Sequence, residues 1–301
     1  MVSEVTEKKY GALLSRIEKA GIPYKTVPID ELLIRIRSLK SERDGEPLSK
    51  ASVRSYLIAI KRERDTDGEK ILEEINRINE EIKEEVSKNR LIGKQKENYI
   101  EWEKVQEIYK DILKGYGKSY NKDRNIVLLS CYCQMGVRRL LDYALMDVMH
   151  EESGIEKGRN YYIKSGGYFV FQVYKTAKAY GVQRIKLTEE HKNLMDGYIE
   201  KYKIEGTLFD LKGGAIKERL VRIFKRYTTK TISVNILRHS YISWLMDNGK
   251  LKTIEDRKKY AGIMGHSIQM QAEYYKDKSK EVVDNEDDED DEDDEMMIMD
   301  E

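Results

Sequence analysis

The spacing of apolar residues changes period once along this chain, and that change limits the folds open to it. Through 11–21, 29–43, 48–64 and 69–88 the apolar positions recur every three or four residues, as in Leu32, Leu33, Ile36 and Leu39, the spacing of one buried helix face. Between 161 and 187 the pattern alternates instead. Residues 161–164, a Ser165-Gly166-Gly167 turn, 168–174 and 183–187 are rich in aromatic and β-branched side chains and read as three short antiparallel strands. Helical spacing returns at 189–203, 215–226 and from 233 onward, and the only prolines are Pro23, Pro28 and Pro47. The expected fold is mainly α with a small antiparallel β-sheet, an α+β architecture.

A chain of 301 residues, 40% of them hydrophobic, can build two cores. Ser49 is placed to cap a helix that puts Val53, Leu57 and Ile60 on one face. Ile71, Ile75, Ile78, Ile82 and Val86 stripe the next helix and are expected to close an N-terminal helical domain. The run from 89 to 98 has no apolar period and contains Gly93, as a linker would. The division expected is a helical domain at 1–90, a linker at 91–98, a second domain at 99–280 and a tail at 281–301.

The formal net charge of zero hides a segregation. Fourteen acidic and no basic residues lie from Glu281 onward, so residues 1–280 hold all 55 Lys and Arg against 41 Asp and Glu, a net of +14. The tail cannot bury apolar surface and repels itself, so it is expected to be disordered. The basic body calls for a polyanionic partner, with nucleic acid the usual one. Cys131 and Cys133, one residue apart in an apolar run, make poor disulfide or zinc-ligand material and are expected to be buried free thiols. No signal-peptide pattern and no apolar run of about 18–20 residues is present, so an intracellular protein without a membrane partner is expected.

Several residues at helix starts and turns carry phosphate chemistry. Arg138 and Arg139 open the segment GVRRLLDYALMDV, read as one helix, where backbone N–H groups also point outward; the competing use is an ion pair with Asp142. Lys175 and Lys178 follow the alternating segment in YKTAKAYG, in a turn where an exposed lysine is otherwise only solubilising. Arg238 lies in LRHSYIS, beside the apolar face of Leu237, Tyr241, Trp244 and Leu245. His266 lies in MGHS, eight and nine residues before Tyr274 and Tyr275. Tyrosine can attack a phosphodiester, arginines can clamp its non-bridging oxygens, and lysine and histidine can move protons.

In that order and spacing these motifs resemble the tyrosine recombinase family, the phage-integrase type, over about 98–280, with closer likeness to versions carried by viruses and mobile elements. The resemblance implies a core-binding domain at 1–90 that forms, with the catalytic domain, a C-shaped clamp on double-stranded DNA. It implies site-specific recombination or integration through a 3′-phosphotyrosine, without metal, ATP or other cofactor, by dimers or tetramers assembled on DNA. A viral protein would act in the host nucleus or cytoplasm. Position by position it makes Arg238 the second catalytic arginine, His266 the His/Trp position, Tyr275 the nucleophile with Tyr274 as fallback, and Lys175 the general acid with Lys178 behind it. The first arginine stays open: M-G-V-R selects Arg138, a carboxylate three residues on selects Arg139. The family's histidine three residues before the second arginine is Asn235 here, which cannot take a proton. His239 is expected to be structural. The alternatives are a catalytically weakened, recombinase-derived DNA-binding protein and a helical scaffold for protein partners.

Overall fold

The computed structural model describes residues 4–277 apart from 43, 44, 65, 92, 145 and 212; the acidic tail at 281–301 lies outside the described residues. The chain forms two compact units, the first ending at Gly93 and the second beginning at Lys94.

In the first unit α1 (Glu4–Lys19), α2 (Ile29–Arg37), α3 (Lys50–Glu63) and α4 (Gly68–Ser87) enclose one core. The Ser49 hydroxyl caps α3 by accepting from the Ser52 N–H at 3.1 Å. Its Val53, Tyr56, Leu57 and Ile60 are buried with Leu32 and Ile36 of α2 and Ile17 of α1. Ile71, Ile75 and Ile78 of α4 complete that core, with Ile82 packed against it. The isoleucine stripe is therefore spent inside this unit. Arg64, 8% exposed, donates to the carbonyls of Tyr24 and Val27 at 2.9 and 2.8 Å and fixes the loop between α1 and α2.

A short helix, α5 (Gly93–Asn98), stands at the boundary. The second unit continues with α6 (Trp102–Leu113), α7 (Tyr120–Cys133) and α8 (Leu140–Ala144). Next come β1 (Met146–Met149), β2 (Asn160–Ile163), β3 (Tyr168–Phe171), α9 (Ala177–Tyr180), β4 (Gln183–Lys186), α10 (Glu189–Tyr202) and β5 (Gly206–Thr207). The chain ends its described part with α11 (Gly213–Phe224), α12 (Val234–Asp247), α13 (Ile254–Met264) and α14 (Ile268–Tyr274). The sheet order is β4-β3-β2-β1-β5. The antiparallel set β2-β3-β4 is the one the alternation marks out. Two further strands make the sheet mixed, β1 running parallel to β2 and β5 antiparallel to β1.

The fold remains mainly α with one small sheet. GVRRLLDYALMDV is not one helix: α8 spans only Leu140–Ala144, and Met146–Met149 leaves it as a strand. The reason is hydrogen-bonding opportunity, since β2 offers β1 a four-residue parallel register from Met146↔Asn160 to Met149↔Ile163. Buried Asn160 secures the junction. Its amide donates to the carbonyls of Asp142 and Val173 at 2.8 Å, and its oxygen accepts the N–H groups of Gln172 and Val173. Cys131 and Cys133 are buried free thiols.

Candidate phosphoryl-transfer site

The site is assembled at the C-terminal end of α13. A helix leaves its last carbonyls without partners inside the helix, and here arginines take them. Arg138 Nη1 donates to the Ile263 carbonyl at 2.8 Å, and Arg238 Nη1 to the Met264 carbonyl at 3.4 Å and the Val137 carbonyl at 2.8 Å. Positive charge at a helix C-terminus is also favourable toward the helix dipole. Gly265 ends the helix in the left-handed conformation, φ 67° and ψ 42°, which a residue without Cβ adopts at little cost. A Cβ there would lie 2.8 Å from Arg138 Nη2. The glycine of the MGHS motif thus serves both the turn and the close approach of a guanidinium.

Arg138 and Arg238 are fully buried. Arg138 Nε donates to Asp142 at 2.7 Å, its Nη1 also donates to Gln183 Oε1 at 2.9 Å, and its guanidinium lies 3.8 Å from the Phe171 ring centroid. Asp142 therefore selects Arg138 as its partner, although its spacing also fitted Arg139. Burial raises the Asp142 carboxyl above its usual value, and the charges of Arg138, Arg238 and Arg139 pull it back. Arg238 stacks 4.7 Å from the Tyr274 ring centroid. Burial lowers the Arg238 guanidinium from its usual value while the Tyr274 phenol opposes this; it stays a cation. Arg139 is half-buried.

Among the described residues, four buried guanidinium nitrogens, Arg138 Nη2, Arg139 Nε, and Arg238 Nε and Nη2, have no hydrogen-bond partner. Donors left so are costly, and three arginines around one carboxylate leave a net positive charge. Such a site is built to receive an anion with several oxygens.

His266, 2% exposed, donates through Nδ1 to the Ser267 carbonyl at 2.9 Å, and its Nε2 is buried without a partner. Burial, with Arg238 next, pushes the imidazole down to about 3. A neutral ring whose Nδ1 carries the proton presents a lone pair at Nε2. Its centroid is 5.8 Å from that of Tyr274.

The tyrosines are set by α12. His239 Nδ1 donates to the Tyr274 carbonyl at 2.8 Å, and one turn later Ser243 Oγ accepts the Lys276 N–H at 2.9 Å. The His239 and Tyr274 rings pack edge to face at 5.0 Å. Burial, then the charge of Lys276, lowers the His239 imidazole to about 3, so it too is neutral at physiological pH. The buried Tyr274 is the tyrosine between Arg238 and His266, whereas the motif spacing favoured Tyr275. Tyr275 caps α14 with extended backbone and is half-buried.

Lys175 is exposed, but its neighbours anchor its loop. The Tyr174 ring centroid is 5.0 Å from the Arg138 guanidinium, and Thr176 Oγ1 donates to the Gly265 carbonyl at 3.0 Å. Lys178 is exposed on α9. Asn235 lies half-buried in the first turn of α12, one turn before Arg238. Sequence reasoning missed Thr176 and Gln183; Thr176 adjoins a candidate lysine, and nothing marks Gln183. Among the described residues no group of three His, Cys, Asp or Glu is placed to hold a metal, and no helix is long and apolar enough to cross a membrane.

No protein-family model and no curated protein matches the chain. Among solved structures it is similar to a XerA recombinase, at 12% identity over 92% of this chain and 89% of that one, with a TM-score of 0.44. It is also similar to the XerH site-specific recombinase bound to its difH substrate in a pre-cleavage complex, at 12% identity over 86% and 76%, with a TM-score of 0.39. Both are recombinases.

Proposed function

We propose that the protein is a tyrosine-type site-specific DNA recombinase, with Tyr274 as nucleophile. The observation that supports this is the buried Tyr274 ring held between Arg238 and His266, beside four guanidinium nitrogens without partners. In the reaction, Arg138, Arg139 and Arg238 bind the non-bridging oxygens of one phosphodiester and neutralise the charge that builds on them. Tyr274 Oη forms a bond to phosphorus and its proton passes to the lone pair of His266 Nε2. The bond to the 5′ oxygen breaks, and Lys175 supplies that oxygen with a proton. A 3′-phosphotyrosine and a 5′-hydroxyl result. Attack by a 5′-hydroxyl of another strand reverses the steps, so the ester bond energy is retained and neither ATP nor a cofactor is consumed. His266 thereby carries the proton that Asn235 cannot. The double-stranded DNA partner, and a dimer or tetramer on it, follow from the basic body and the two-strand chemistry. Viral or mobile-element origin belongs to the same reading.

The test is covalent trapping on a library of nicked duplexes of randomised sequence, followed by mass analysis of the modified peptide. The expected adduct is on Tyr274, is abolished by Tyr274→Phe and persists in Tyr275→Phe. Sequence-selective binding with no adduct from the unaltered protein would replace this reading with that of a binding protein, the outcome to which Asn235 otherwise points.

A further inference from the structure

A second cluster of arginines lies on the same unit, away from the tyrosine. Ile216, Leu220 and Ile223 bury one face of α11, and this sets its basic face beside α7. There Asn121, Asn125, Arg219, Arg222, Ile223 and Arg226 line a cavity of about 260 Å³. The charges are not balanced locally. Arg219 donates through Nη1 to Asn125 Oδ1 at 3.2 Å, and its buried Nε has no partner. Burial lowers its guanidinium, and the next influences are the like charges of Arg124 and Arg222. Among the described residues the carboxylate paired with Arg222 is Glu218 at 3.9 Å, with both side chains exposed.

Beneath these, Arg124 is 7% exposed, donates through Nη2 to Asn121 Oδ1 at 2.9 Å, and leaves its Nε without a partner. Both asparagines accept from arginine through their oxygens, which leaves their amide N–H groups as donors. A neighbouring cavity of about 300 Å³ shares Asn125, Ile223 and Arg226 and adds Lys118 and Lys122, together with Asp111, whose carboxylate is paired with Lys114 at 3.1 Å. Cations gathered in a concavity repel one another and lose hydration; an anion with several acceptor oxygens removes both costs.

We propose that this cavity binds a backbone phosphate of DNA, as an anchor separate from the tyrosine site. Its contacts are a guanidinium cluster and amide donors, the partners of a phosphate rather than of a base edge. Asn121 stands twelve residues before Cys133 along α7, a rise of about 18 Å, and the arginine loop of the tyrosine site follows Cys133. The anchored phosphate is therefore a different one from the phosphate that receives Tyr274. That a second phosphate of the same duplex is held rests on the recombinase reading; the phosphate chemistry does not.

The experiment compares the full chain with Arg219→Gln/Arg226→Gln and with Arg219→Lys/Arg226→Lys on one duplex across a salt series, with phosphate-ethylation interference and adduct yield measured in parallel. The Gln pair should reduce the slope of log affinity against log salt by about 1–2 and erase interference at a phosphate other than the cleaved one. Adduct per bound duplex should be unchanged, and the Lys pair should keep the slope. If the Gln pair does not fold, the exposed Arg226→Gln alone should reduce the slope by about half as much. An unchanged slope in folded Gln variants overturns the proposal. So does calorimetric binding of a free 5′-mononucleotide that the Gln pair abolishes while the slope stays put, since the cavity would then serve a free phosphate ester. A reduced slope without any tyrosine adduct keeps the anchor and removes the recombinase reading.

Discussion

Gly265→Ala tests the link between the helix cap and the anion site. The backbone there has φ 67°, and a side chain in the left-handed region costs about 1–2 kcal/mol. For a folded unit of this size that corresponds to a melting point lower by about 2–8 °C. The new Cβ would stand 2.8 Å from Arg138 Nη2 and 3.2 Å from Cζ, and relieving the shorter contact to 3.4 Å needs a shift of about 0.6 Å. The guanidinium has little freedom to make that shift. Its Nε is tied to Asp142 at 2.7 Å and its Nη1 to Ile263 and Gln183 at 2.8 and 2.9 Å. A displaced donor in a charge-stabilising site typically costs about 10²–10³ in rate, or about 3–4 kcal/mol. Thermal melts report the first effect and single-turnover adduct formation the second. Gly265→Asn separates them, because asparagine tolerates positive φ better than alanine yet carries the same Cβ. It should melt above Gly265→Ala while reacting as slowly. Gly265→Ala reacting within about threefold of the unaltered protein would refute the claim that this glycine makes room for Arg138.

Other outcomes follow from the same geometry. His239→Ala removes the bond to the Tyr274 carbonyl and should destabilise the site by about 1–3 kcal/mol, seen as faster amide exchange at 274–276 and a smaller adduct yield. Lys175→Ala should slow cleavage of ordinary DNA but not of DNA with sulfur at the 5′ bridging position, which leaves without a proton; equal slowing on both substrates would remove the general-acid role. Stability should fall as pH drops below about 6.5. Burial holds His191 at about 4 and His239 and His266 at about 3. The unfolded chain binds those protons near 6.5, so unfolding takes up protons between about 6.5 and 3. Melting at pH 5 against pH 7 should show a loss on the order of 1–2 kcal/mol per histidine.

The helices could be read because their apolar stripes are spent locally: Ile71, Ile75 and Ile78 point at a core one helix away. β1 could not, because the alternation in MDVM is too short to distinguish it from the end of a helix, and its pairing with β2 is a tertiary event. In the site, Arg238 and His266 sit in short motifs whose spacing reflects one helix start and one helix cap. Asp142 was visible as an ion-pair partner, but its choice of Arg138 depends on α8 starting only at Leu140, which leaves both arginines outside helical phase. The placement of Tyr274, rather than Tyr275, between Arg238 and His266 has the same origin. α14 is seven residues long and ends at Tyr274, so its phase is fixed by His239 and Ser243, some thirty residues earlier in the chain. No count along GHSIQMQAEYYK contains that information.

The grip of His239 and Ser243 on the backbone around Tyr274 has a consequence for stoichiometry. The two hydrogen bonds join α12 to the end of α14. In the proposed reaction this arrangement corresponds to each copy using its own Tyr274 at its own arginines. An Arg238→Ala copy mixed with a Tyr274→Phe copy is then expected to form no adduct; adduct from that mixture would mean that the tyrosine is donated between copies.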